Sequence, residues 1–192
     1  MSTTIKKMKT IKTLKVAIHL LFFGLITVFF SQLLFWCAVY FFNDPLPPLL
    51  QNFKMIFNPV FFNWQTLIDP FTNALNFVLF IVAVYYLKKS MASFVNSLFY
   101  TASVIVNLKK AGNIFVFIGV SIILIQFLSG IYILNTTQNI VKMNSLFARS
   151  SLIIAAFDLK SIFLMIAGLF LLLFSASFMI ARKLKQENNL TI

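Results

Sequence analysis

The sequence predicts an all-α, polytopic membrane protein that crosses the bilayer four times, and three observations predict it. Of the 192 residues, 60% are hydrophobic and only 10% are charged, where a soluble domain carries about 25% charged residues. A soluble fold of this size has too much surface to hide so much apolar material. The apolar residues fall in runs of about 20, long enough to span a hydrocarbon core. The basic residues cluster beside those runs rather than inside them. The chain reads as a single domain, 1–192, with spans at 16–42, 67–87, 113–134 and 160–181.

The first span, Val16–Phe42, carries no acidic or basic residue except His19. It stops at Asn43-Asp44, ahead of Pro45, Pro47 and Pro48, because proline lacks the N–H that a continuing helix needs. A basic start before an apolar run also resembles a secretory signal. This run is too long for one, and no small-residue cleavage site follows, so a retained helix is expected. Cys37 is the single cysteine, so no internal disulfide forms. Phe35 and Trp36 precede it where a lipoprotein signal has small residues, and it reads as a small apolar side chain.

Residues 43–66 read as a loop rich in Asn, Pro and aromatic residues, with Trp64 at the membrane interface. Asp69-Pro70 looks like the start of the second helix, with Asp as the cap and Pro in the first turn. Asn73 and Asn76 make the first half of this span polar, so that half should face other helices or the interface. Spans three and four are free of charge at their centres, and Asp158 is placed to cap span four.

The stretch 91–108 admits two readings. Ser90, Ser93, Ser97, Thr101 and Ser103 recur at roughly helical spacing with Phe94, Val95, Leu98 and Ile105 between them. That suits an amphipathic helix on the cytoplasmic membrane surface, or else a fifth span. Charge decides between them. With four spans and a cytoplasmic N-terminus, only Lys54, Lys142, Arg149 and Lys160 lie outside, and the other twelve of the 16 basic residues lie inside. Five spans would leave ten inside and six outside. The positive-inside rule therefore favours four spans, both termini in the cytoplasm and an amphipathic helix between spans two and three.

The net charge of +12 invites a nucleic-acid reading, since basic patches attract phosphate. The positions argue otherwise. Lys6, Lys7, Lys9, Lys12 and Lys15 precede the first span, Lys88 and Lys89 follow the second, Lys109 and Lys110 precede the third, and Arg182, Lys183 and Lys185 follow the fourth. These are membrane flanks, so direct nucleic-acid binding is not expected. Such flanks also attract acidic lipid.

Residues for chemistry are nearly absent, and no enzyme is expected. His19, Cys37, three Asp and one Glu cannot readily supply a catalytic set, and His19 reads as an interfacial polar residue. Asp69 and Asp158 could share a divalent ion near the outer face, but each is more simply a helix cap. No metal, cofactor or glycine-rich phosphate loop is called for. No Asp, Glu, Lys or Arg stands at the centre of a span, which weighs against an ion-coupled transporter but leaves a passive channel built from several copies. Small and polar residues form faces: Gly24, Thr27, Ser31 and the adjacent Gln32; Gly119, Gln126 and Gly130; Ser161, Gly168 and Ser175. These read as helix-packing seams, with a ligand pocket between them as the alternative.

Two stretches carry a family likeness. One is Tyr85-Tyr86-Leu87-Lys88-Lys89, then Leu98-Phe99, then Asn107-Leu108-Lys109-Lys110-Ala111-Gly112. The other is the tail Leu184-Lys185-Gln186-Glu187-Asn188-Asn189-Leu190-Thr191-Ile192. Together they resemble the bacterial domain-of-unknown-function family 2975, with motifs at about 85–112 and 178–192. Ala181 stands where that family often has Gly, Asn189 where it often has an acid, and Tyr100-Thr101 where its link often has a Ser/Thr-Glu pair. The resemblance implies four membrane helices, no enzyme activity and a bacterial cytoplasmic (inner) membrane location. Its members are often encoded beside a small helix-turn-helix DNA-binding protein, which implies a membrane-bound regulatory partner. The expected docking residues are Lys88, Lys89, Lys109, Lys110, Leu184, Glu187, Leu190 and Thr191. The alternative is a small transport, channel or self-protection (immunity-type) protein, possible as a homo-oligomer.

The orientation is checked with a reporter that fluoresces only in the cytoplasm. Fused after Ile192 it should be bright, and inserted in the 43–66 loop it should be dark.

Overall fold

A computed structural model describes residues 2–41, 64–95, 100–137 and 158–190. These form four helices: α1 Ser2–Phe41, α2 Trp64–Val95, α3 Ala102–Thr137 and α4 Leu159–Leu190. Each contains a segment long and apolar enough to cross a membrane: Ile11–Leu34, Phe71–Phe94, Ala102–Tyr132 and Leu159–Asn189. The chain is thus an all-helical, multi-pass membrane protein by length and composition.

The helices pack antiparallel in sequence order, α1 on α2, α2 on α3 and α3 on α4, the last pair most extensively. Among the described residues no comparable contact joins α4 back to α1, so the four helices lie in a row there. The core lies in the middle of the row. It contains Ala83 and Val84 of α2 and Val104, Ile105, Leu108, Ala111, Phe115 and Ile118 of α3.

The α3–α4 contact is set by small residues in step. A Cβ built on Gly112 would stand 2.8 Å from the Gly168 carbonyl oxygen, and one built on Gly168 would stand 2.7 Å from that of Gly112. Seven residues on, a Cβ on Gly119 would meet the Met165 side chain and the Ser161 carbonyl. Seven residues back, Ser175 Oγ donates to the Ile105 carbonyl at 2.8 Å and is buried. Ile105, Gly112 and Gly119 therefore face Ser175, Gly168 and Ser161 in one antiparallel register. A repeat of seven on both helices is what a long, shallow crossing requires.

The α4 face Ser161, Gly168 and Ser175 is the seam that its spacing predicts. The other two faces divide. Gly119 is in the seam and Gly130 is buried, but Gln126 is exposed. On α1, Gly24 has nothing within 4 Å of a built Cβ, and Thr27, Ser31 and Gln32 are exposed. The hydroxyls of Thr27 and Ser31 turn back to the Phe23 and Val28 carbonyls instead. Aromatic rings hold α1 to α2: Phe22 lies 6.1 Å from Tyr85, and Phe29 stacks on Phe77 at 6.2 Å.

Two boundaries differ from expectation. α2 starts at Trp64, so Asp69-Pro70 lies inside it and not at its start. Trp64 belongs to the helix, while the expected loop at 43–63 falls outside the described residues. Between spans two and three, the described residues hold no separate helix. Met91–Val95 are the end of α2 and Ala102–Leu108 the start of α3, with 96–99 outside the described residues. Ser90 is buried and donates to the Tyr86 carbonyl, and Phe94 and Tyr100 close on Phe178 of α4 at 6.0 and 5.8 Å. Phe94 at the end of α2 and Tyr100 just before α3 thus set apolar rings against α4. The Asp158 position is as expected, immediately before α4, and its carbonyl takes the Ser161 and Ile162 amides at 3.1 and 3.2 Å.

The seam makes a definite prediction. Gly168→Val should lower thermal stability in detergent by about 1–3 kcal/mol, the cost of forcing bulk into a packed contact. Gly24→Ala, made in open space, should leave the melting curve unchanged.

Candidate functional site

The expected docking residues fall on one end of the row, where α1 begins, α2 turns into α3 and α4 ends. Their environments differ. Lys88 Nζ lies over the Phe22 and Phe23 rings, 4.4 and 4.7 Å from their centroids. Lys110 Nζ lies 5.3 Å from the Tyr86 centroid. Contacts of this kind are worth about 0.5–2 kcal/mol. Lys89 and Lys109 are exposed, as are Leu184 and Glu187. Leu190 is the last residue of α4, and Thr191 lies outside the described residues.

The register shows which of these residues meet. Lys110 precedes Gly112 by two positions, so it stands level with Phe170 of α4, two positions past Gly168. Arg182 is twelve residues further along α4, about 18 Å at 1.5 Å per residue. Tyr86 brings Lys88 and Lys110 to one level. The tail is not at that level. The basic residues thus form two tiers, a recessed belt of Lys88, Lys89, Lys109 and Lys110 and an outer tier with Arg182, Lys183 and Lys185. Between them α4 presents exposed Leu173, Phe174, Met179 and Ile180. A partner touching both tiers must cover that apolar strip.

The Asn107–Gly112 motif is a helical segment, not a link. Asn107 is buried and donates from Nδ2 to Ser103 Oγ at 3.3 Å. Leu108, Ala111 and Gly112 are buried, and Lys109 and Lys110 are exposed. This alternation is the helical period, with the Asn, Leu, Ala and Gly positions turned inward and the two lysines outward.

Away from this end, Asn76 is buried between α2 and α3, where Ser121 Oγ reaches its Oδ1 at 3.1 Å. Its Nδ2 has no partner among the described residues. With the amide turned over, Nδ2 would donate to Ser121 Oγ while that hydroxyl serves the Ile118 carbonyl, 2.9 Å away. Asn76 therefore faces a helix, as the polar half of span two predicts, while Asn73 is exposed. His19 donates from Nδ1 to the Lys15 carbonyl at 3.1 Å, which occupies it as a local helix contact. Among the described residues no three His, Cys, Asp or Glu come together as a metal site.

Compared with protein-family models, with curated proteins and with solved structures, the chain finds no match in any of the three.

Sequence reasoning missed Gly112 and Ile105 as seam residues. The seven-residue spacing from Gly119 back to Gly112 and Ile105 was the signal. The adjacent lysine pair masked it by marking the segment as a membrane flank.

Proposed function

We propose that this protein works by binding a partner at the membrane, holding a small helix-turn-helix DNA-binding regulator at the cytoplasmic face of the bacterial inner membrane. Both termini lie in the cytoplasm in this reading, as the positive-inside asymmetry favours. The likeness of 85–112 and 178–192 to family 2975 supports the choice of partner, and that support is associational.

One observation carries the docking surface. α4 runs unbroken to Leu190, and from Lys183 to Asn189 every residue is exposed. On this end Leu184 presents an exposed apolar side chain that another protein would cover. Leu184 and Glu187 lie three apart and so share a face, and that face continues toward exposed Ile180. Leu190 follows as the last residue of α4. Apolar anchors at helical spacing, ringed by Lys183, Lys185 and Glu187, suit a helix or groove of mixed polarity on the partner.

The channel reading needs more than one copy, while a self-protection role does not. A row of helices encloses no lumen, and the α3–α4 contact is closed by backbone.

Cross-linking in native membranes followed by affinity purification tests the proposal. A small DNA-binding protein should be recovered with the full chain and lost when 184–192 are deleted, with membrane insertion unchanged. Equal recovery without the tail would refute this docking surface.

A further inference from the structure

Among the described residues, nothing acidic balances the charges of Lys88 and Lys110. The chain has 16 basic residues against 4 acidic ones. Among the described residues no carboxylate pairs with either ammonium; each rests on aromatic rings. A ring covers one side of an ammonium, whose remaining N–H bonds are left to donate elsewhere.

Their position makes the imbalance costly. Level with Phe170, the pair has apolar surface on both sides along the axis, including exposed Phe170, Leu173 and Phe174 of α4. An unpaired ammonium surrounded by hydrocarbon is expensive, and such lysines draw headgroups or water toward themselves. The rings beneath them form one connected group across two helices, α1 and α2. Phe22 lies 6.1 Å from Tyr85, and Tyr85 lies 5.8 Å from Tyr86. Lys88 rests on the α1 end of this group and Lys110 of α3 on its Tyr86 end, so two ammoniums and two tyrosines lie along one run of contacts. That donor set suits a phosphate bearing a negative charge, and apolar helix faces nearby suit acyl chains.

We infer that Lys88 and Lys110, with Tyr85 and Tyr86, bind the phosphate of an acidic phospholipid. The bound lipid brings the headgroup plane down to the recessed belt, and the outer tier with the α4 tail then stands clear of the bilayer. This site needs only that the chain lies in a membrane, so it holds whether or not the tail docks a regulator.

The test uses the purified full chain in detergent, with phosphatidylglycerol or phosphatidylcholine added and retained lipid counted by native mass spectrometry. The wild-type chain should retain phosphatidylglycerol in preference. Lys88→Gln with Lys110→Gln should weaken that retention about thirtyfold, from the attraction that two basic side chains lose. Lys89→Gln with Lys109→Gln removes the same charge and should leave retention intact. Tyr85→Phe keeps the ring that α1 packs on and should still weaken retention, which separates lipid binding from loss of α1. Equal retention of the two lipids overturns the inference, and so does an equal loss from both lysine pairs. Displacement of the lipid by millimolar inorganic phosphate would assign the site to a soluble anion and overturn it as well.

Discussion

The backbone contact between Gly112 and Gly168 is the constraint on which the rest depends. In a bilayer, lipid tails compete with apolar side chains on equal terms, so helices associate through close packing and hydrogen bonds. Two glycines facing each other let α3 and α4 approach until carbonyl oxygens replace side chains in the contact. Ser175 then reaches the Ile105 carbonyl, and Ser161 packs beside Gly119. Once this register is set, the level of every residue on α3 is set against α4. The separation of the lysine belt from the tail is a direct consequence.

The other helices are held by weaker means, in order of distance from that seam. α2 joins α3 through the Asn76–Ser121 hydrogen bond and the edge-on Phe80–Phe115 pair at 5.5 Å. Aromatic pairs contribute about 0.5–1.5 kcal/mol each beyond their buried area. α1 joins α2 through ring contacts and the Lys88 ammonium, and none of its spanning segment Ile11–Leu34 is buried. A gradient of attachment therefore runs from α4 and α3, through α2, to α1. The least attached helix is tied in at the lysine belt, so lipid bound there would also bear on how α1 is held.

Much of the fold was legible because its causes are local. Apolar runs separated by basic flanks give four helices, Asp158 marks the start of α4, and a seven-residue repeat of Ser161, Gly168 and Ser175 marks a seam. What was not legible depends on register between helices. Lys109 and Lys110 read as the end of a membrane segment, yet α3 begins at Ala102, and Asn107, Leu108, Ala111 and Gly112 are inside the packing. The stretch 91–108 read as a surface helix, while its described residues belong to the end of α2 and the start of α3, since helical spacing alone does not mark where one helix ends and the next begins. For the docking residues, the sequence placed the lysines and the tail on one end. It had no means of placing them in two tiers, since that follows only from which α4 residue faces Gly112.

The α3–α4 register is tested most directly by disulfide formation in native membranes, with Cys37→Ser as background. Ile105→Cys with Ser175→Cys should cross-link rapidly, since Ser175 Oγ is 2.8 Å from the Ile105 carbonyl. Val106→Cys with Ser175→Cys should not, since Val106 points away from the seam and is half exposed. Equal cross-linking of the two pairs, or none at 105–175, would contradict the register and with it the two-tier arrangement.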